Sequence, residues 1–293
     1  MIKRAAALVT LLAVTVVAVP MLGTTTSGAS AILAGRVHES FQPNRGKIFV
    51  LVIGNDARSG NPDQSRADAV HLVGINTKTM RGGILNFPRD SWVNIPGSGS
   101  GRINEALYRG GPDLLARTVE SLTGIHIDYW VMTGFEGFRG IMEVIGGIEM
   151  KIPFDLYDPS GSGINLGKGN QLLRREMALA YVRTRHSFPR GDVDRTTNQA
   201  RFLIEMLRKL RSQVDENPST LLRWMAAARR YARFDISAAE MFRLGVLASQ
   251  VQPKDVGNVT VPVSVGAVGA ASVVFISPAA HSIYARFKRT GRL

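Results

Sequence analysis

Lys47-Ile-Phe-Val-Leu-Val-Ile53 runs directly into Gly54-Asn-Asp-Ala-Arg58. The apolar, β-branched and aromatic run behind Lys47 predicts a strand buried on both faces. A glycine turn at the C-terminal end of such a strand is where open α/β sheets place their ligands. Working outward, further strands are predicted at Ala69–Asn76, Gly83–Phe87, Tyr129–Thr133 and Ile148–Ile152. Between them lie helical patterns over Pro112–Thr123, stopped by Gly124, and Phe135–Ile145, stopped by Gly146-Gly147. Strands alternating with helices predict an α/β domain of three layers, a central mixed sheet covered on both faces. Beyond Arg174 the pattern is mostly helical: Arg175–Thr184, Thr196–Gln213, Ser219–Tyr231 and Ser237–Gln250. The chain closes with strand-like Asn258–Val265 and Ser272–Ile276 and a short basic helix.

The 293 residues are 45% apolar and 20% charged, which excludes a disordered chain, a collagen-like repeat and a polytopic membrane protein. At the N-terminus Lys3 and Arg4 precede an uncharged run, Ala5–Leu22. At about 1.5 Å per residue those 18 residues span roughly 27 Å, enough for one bilayer crossing. Two readings stand: an uncleaved anchor, or a signal peptide cleaved near Ala29-Ser30-Ala31. Either one exports the body of the chain. The sequence therefore divides into a cytoplasmic stub (1–4), a transmembrane anchor or signal peptide (5–22), a small, polar linker (23–45) and one extracytoplasmic domain (46–293). With no cysteine, disulfides, thiol nucleophiles and thiolate metal sites are excluded.

Charge carries the first functional signal. The net charge is +13, and 28 of the 36 basic residues are Arg. Between Tyr181 and Arg233 twelve basic residues face five acids. Most of them read as a solvated helix face. Arg183, Arg185, Arg190 and Arg195 differ, because they cluster around a turn at Pro189 and Gly191. Like charges so close call for an anionic partner, a protein carboxylate or a ligand phosphate. The guanidinium fork suits phosphate best.

Asp56 with Arg58, Arg66 with Asp68, and Arg89 with Asp90 all fall at predicted strand ends. Taken alone, Asp56 and Asp68 read as caps or as ion-pair partners of Arg58 and Arg66. Taken with the arginines they suggest a phosphate or pyrophosphate site assisted by a carboxylate-held Mg²⁺ or Mn²⁺. Other motifs fail. Gly161–Lys168 has the wrong spacing for a P-loop, and Gly97–Gly101 sets no serine in a nucleophile frame, so it reads as a flexible loop. The five histidines have no metal-ligand spacing. Aromatics are not interleaved with the basic cluster, which argues against a nucleic-acid partner.

From Lys47 to Arg211 the sequence resembles the LytR-CpsA-Psr enzymes of Gram-positive envelopes. The resemblance rests on Gly54-x-Asp56-x-Arg58, Arg66-x-Asp68, Pro88-Arg89-Asp90, Arg102-Ile-Asn104, Gly163–Gly169, Ala178–His186, and Gly191-Asp192 with Arg195 and Gln199. Residues 212–293 then complete the domain. The resemblance implies a membrane-anchored phosphotransferase that moves a glycopolymer from a polyprenyl-pyrophosphate carrier to peptidoglycan, at the muramic acid C6 hydroxyl. It implies Mg²⁺ at Asp56 and Asp68, and a pyrophosphate surrounded by Arg58, Arg66, Arg89, Arg183, Arg185, Arg195 and Gln199. It also implies a lipid tail in an apolar pocket. Arg89, Asp90, Arg183 and Arg185 are the expected catalytic set, with Asp90 or Asp192 as the candidate base. Ala69, Arg102 and Asn198 depart from the family pattern, which more often has Thr, Lys and Arg there. The rival readings are a hydrolase at the same site and a non-enzymatic envelope regulator.

Overall fold

The structure, a computed structural model, describes residues 32–35, 46–57, 65–234 and 236–293. The expected anchor at 5–22 and Arg58 lie outside the described residues. Among the described residues no helix is long and apolar enough to cross a membrane.

The first half runs β1 (Ile32–Gly35), β2 (Lys47–Asn55), β3 (Ala67–Asn76), β4 (Arg81–Asn86), β5 (Trp92–Ile95), β6 (Gly99–Arg102), α1 (Glu105–Thr123), β7 (Tyr129–Thr133), α2 (Phe135–Ile145) and β8 (Ile148–Ile152). It continues through β9 (Leu156–Asp158), β10 (Ile164–Leu166), β11 (Gly169–Leu173), α3 (Arg175–Arg183), α4 (Asp192–Glu216) and α5 (Thr220–Arg230). The chain ends with β12 (Ala232–Phe234), α6 (Ala238–Gln250), β13 (Val256–Thr260), β14 (Val263–Val268), β15 (Ala271–Ile276) and α7 (Ala280–Thr290).

The central sheet is mixed, in the order β12-β1-β7-β2-β3-β4-β13. Its middle strand β2 pairs antiparallel with β3 and parallel with β7. The strand β1 falls inside the segment expected as a linker, where it pairs with β7 and β12. Gly97–Gly101, expected as a flexible loop, instead lies in the antiparallel β5–β6 hairpin. Helix α1 begins earlier than its pattern indicates, but it breaks at Gly111 (φ 70°), so its second segment opens at Pro112 as expected.

One face of the sheet is packed solid. Leu51, Ile53, Leu72 and Leu85 meet Leu115 and Val119 of α1 and Phe287 of α7. A second core joins α2, α3 and α4 to β8, through Ile145, Ile148, Tyr181 and Phe202. The sequence predicts β2 to be buried on both faces. In the fold Leu51 and Ile53 are fully buried, whereas Val50 and Val52 on the other face are half-buried. Val52 borders a cavity between the sheet and the layer of α2, α3 and α4. Val52, Ala69 and His71 form its floor, and Phe138, Leu179, Val182 and Leu203 its roof.

Candidate active site

The register of β2 against β3 sets the first part of the site. Gly54 pairs with Ala69 and Asn55 with Ala67, so Asp68 is the extra residue of a bulge. A bulge re-aims its side chain. Asp68 thereby leaves the alternation that sends Ala67 and Val70 into the core and faces the cavity at the strand end. Asp56 closes the same turn, its Oδ1 accepting from the Arg66 backbone N–H at 3.1 Å.

Arg89 follows Pro88 at the end of β4 and sits among three carboxylates. Its Nη1 donates to Asp68 Oδ1 at 2.5 Å, and its Nε lies 3.7 Å from Asp192 and 3.8 Å from Asp90. Asp192 opens α4, and one turn on Arg195 reaches back to it at 2.9 Å. Arg195 is nearly buried, and its Nη2 also donates to the Asp68 carbonyl at 3.4 Å. Burial raises the Asp192 carboxyl above the ordinary range despite Arg195 and Arg89 beside it. Burial likewise lowers Arg195, with Asp192 acting against it. For Arg89 burial is outweighed by Asp68 and Asp192, and the guanidinium is held more firmly charged.

A polar cavity opens beside these groups. Asp56, Asp68, Arg89, Arg183, Arg185 and Arg195 face it, together with Asp158 and His186. Asp68, Phe135 and Arg183 also line the apolar cavity, so the two spaces share a wall. Arg183 ends α3 with its guanidinium 4.8 Å from the centre of the Phe135 ring. Its charge is thus held against an aromatic face.

The remaining sequence-derived residues fall elsewhere. Arg66 is exposed and holds Asp56 through its backbone, and it is not on the cavity wall. Gln199 lines the apolar cavity, where its Nε2 donates to the Val182 carbonyl at 2.9 Å. Asp90 stands off the cavity between Arg89 and Arg102, 3.7 Å from the latter. Asp68 does not pair in the way its sequence neighbours suggest, since it takes Arg89 rather than Arg66. Among the described residues no three carboxylate or imidazole groups cluster as a metal site.

Sequence reasoning gives no role to Asp158, His186 or Gly161. His186 Nδ1 is 2.9 Å from Asp158 Oδ1, and Asp158 also accepts from the Gly161 N–H at 3.1 Å and Thr184 Oγ1 at 3.2 Å. Burial opposes ionisation of Asp158, but His186, Thr184 and Gly161 together hold its carboxyl down at about 2. The one hint in the sequence is adjacency, since His186 directly succeeds Arg183-Thr-Arg185.

The LytR_cpsA_psr family model matches residues 16–288. Over 183 residues the chain is 36% identical to polyisoprenyl-teichoic acid–peptidoglycan teichoic acid transferase TagT of Bacillus subtilis, covering 59% of this chain. It spans little more than half of that relative, 56%. Over 235 residues it is 30% identical to regulatory protein MsrR of Staphylococcus aureus, 78% of this chain and 69% of that one. A solved structure of TagT bound to LI-WTA shares the fold with a TM-score of 0.71 at 25% identity, over 86% of this chain and 93% of that one. Another, with bound octaprenyl pyrophosphate lipid, gives 0.66 at 24% identity over the same shares. A family match from Val16 to Lys288, on a mixed sheet with the same fold as these structures, means that the chain belongs to the LytR_cpsA_psr family.

Proposed function

We propose that this protein transfers a glycopolymer from a polyprenyl-pyrophosphate carrier to peptidoglycan, releasing polyprenyl phosphate. One observation carries the reading: an arginine-rich cavity and an apolar cavity meet at Asp68, Phe135 and Arg183. A molecule with a doubly anionic head and a hydrocarbon tail satisfies both at once. The names of TagT and of its lipid-bound structure agree with that chemistry. Membrane anchoring through 5–22, with the body outside, brings such a site to a lipid-borne donor.

In this reading an acceptor hydroxyl, the muramic acid C6 group, attacks the phosphorus that carries the glycan. A new P–O bond forms, the bond to the bridging oxygen breaks, and that oxygen leaves on polyprenyl phosphate. Negative charge gathers on the non-bridging and bridging oxygens, so the protein's work is positioning and electrostatic stabilisation. Arg89 and Arg195 are pre-set by Asp68 and Asp192, while Arg183 and Arg185 have no such carboxylate partner among the described residues and face the incoming phosphates. Arg183 also marks where the head ends and the tail begins.

The donor set suits Mg²⁺. Asp56 and Asp68 are hard oxygen ligands on one cavity wall, and Mg²⁺ commonly takes only one or two carboxylates with the rest from substrate phosphates and water. The four arginines are largely offset by Asp56, Asp68 and Asp158, so the wall alone does not balance a pyrophosphate diester. Asp56 and Asp68 would hold the ion, which when bound would neutralise charge on the phosphate oxygens. The test incubates the protein with a polyprenyl-pyrophosphate-linked glycan and a peptidoglycan fragment and monitors both products. Lipid phosphate with glycan covalently on peptidoglycan is expected. Lipid phosphate with free glycan phosphate would make the enzyme a hydrolase, and no lipid phosphate would sink the reading.

A further inference from the structure

We propose that His186, oriented by Asp158, is the general base that takes the proton from the acceptor hydroxyl. The assignment rests on the transfer reaction above and supplies its proton acceptor.

The geometry is that of a built dyad. Asp158 is buried, at 3% exposure, while the His186 side chain is 55% exposed and faces the arginine-lined cavity. Asp158 is ionised, since three donors point at it: Gly161 N–H, Thr184 Oγ1 and the His186 ring. A carboxylate can only accept, so in the neutral His186 ring the proton sits on Nδ1 and the lone pair on Nε2. A buried carboxylate fixing the tautomer of an imidazole that faces a reaction space is the arrangement that makes histidine a base.

Two further features hold the pair in place. Tyr157 and Ser187, beside Asp158 and His186, exchange hydrogen bonds: the Tyr157 N–H donates to Ser187 Oγ, and Ser187 Oγ donates to the Tyr157 carbonyl, both at 3.1 Å. Gly161 leaves the room the pair requires. A Cβ there would come within 2.4 Å of Asp158 Oδ1 and 2.7 Å of His186 Nδ1.

The alternatives are poorer bases. Asp90 lies between Arg89 and Arg102, and Asp192 between Arg89 and Arg195; neither lines the cavity. A base has to reach the proton it takes, and neither carboxylate faces the space in which the acceptor would sit. The other charges facing the cavity with His186 are Arg89, Arg183, Arg185 and Arg195 with Asp56 and Asp68. In the step itself the hydroxyl proton passes to His186 Nε2 as the oxygen bonds to phosphorus. The imidazolium is stabilised by Asp158 and returns its proton to solvent after product leaves.

The test compares wild type with His186→Gln, His186→Ala and Asp158→Asn in the transfer assay, with polyprenyl pyrophosphate binding measured alongside. His186→Gln keeps a donor toward Asp158 and is expected to melt near wild type, whereas His186→Ala leaves the buried carboxylate to Thr184 and Gly161 and should melt lower. His186→Gln is expected to lose about 10²–10⁴-fold in kcat, the usual contribution of a general base. Its lipid binding should stay within about threefold, and the acidic limb of the wild-type pH–rate profile should vanish. Added imidazole should restore part of the rate in His186→Ala, which a merely structural histidine would not allow. Asp158→Asn should lose rate with a displaced acidic limb. His186→Gln retaining kcat within about threefold and the wild-type acidic limb would overturn the base and leave transfer standing. Absence of transfer by wild type would overturn the reaction itself, and the base with it.

Discussion

Arg89→Ala and Arg183→Ala remove the same charge from the same cavity, yet the structure expects them to differ in stability. Arg89 is shared by Asp68, Asp192 and Asp90 at 2.5, 3.7 and 3.8 Å. Its removal leaves three carboxylates facing one another, with Arg195 beside Asp192 and Arg102 beside Asp90 as the remaining close cations. Breaking a fully buried pair costs about 3–5 kcal/mol. These carboxylate side chains are 18–32% exposed, so water recovers part of that, and about 2–3 kcal/mol is expected. For a domain of this size that is roughly 4–12 °C in Tm. Arg183 instead lies over Phe135, a contact worth about 1 kcal/mol, and should cost no more than a few degrees. Both variants should lose transfer, by roughly 10- to 150-fold for each charge-assisted contact to phosphate. The stability gap should also narrow in acid. Burial already raises the Asp192 carboxyl, and removing Arg89 raises it further, so protonation relieves the repulsion as pH falls. Calorimetry at neutral and acidic pH, with the transfer assay on the same samples, reads all three quantities. Arg89→Ala melting with wild type at neutral pH, or Arg183→Ala melting below Arg89→Ala, would refute the reasoning.

The geometry sets three other outcomes. Gly161→Ala should push Asp158 and His186 apart and reduce kcat by at least tenfold while lipid binding persists, checked by single-turnover kinetics. His71 is fully buried, and burial holds its imidazole down at about 4, with Arg195 adding to this and Asn86 and Gln199 acting against it. Since the unfolded chain binds this proton near pH 6.5 and the native one only near 4, stability should fall by about 3 kcal/mol as pH drops through that window. Denaturation of His71→Gln at the two ends of the window should show that slope flattened, and an unchanged slope would clear His71 of it. Asp56→Asn and Asp68→Asn should each need more Mg²⁺ for half-maximal transfer, and chelation should silence wild type; activity surviving exhaustive chelation would remove the metal and leave the arginines in place.

How much of this is legible in the sequence depends on where each piece of information resides. Helix Phe135–Ile145 and strands Tyr129–Thr133 and Ile148–Ile152 are legible to the residue, because local periodicity and glycine stops define them. That Arg89, Asp56, Asp68, Arg183, Arg185 and Arg195 sit at strand ends or in one charged cluster is legible because those are also local signals, and the fold brings all six to one cavity. Two kinds of feature are not local. The bulge that turns Asp68 into the cavity depends on how β3 registers against β2, and Asp158 meets His186 only because residues 28 apart are clasped together. The difference at β2 has another origin. Val50 and Val52 carry the pattern of a strand covered on both faces, and the face they form borders an apolar cavity. A surface built to hold a hydrocarbon chain has the same residue requirements as one built to hold another helix. Its composition therefore reads as core, and only the unfilled space between the sheet and α2, α3 and α4 separates the two. In a family whose proposed substrate brings its own lipid, that ambiguity is itself informative: in the transfer reading, this second face is the surface against which the tail of the carrier would pack.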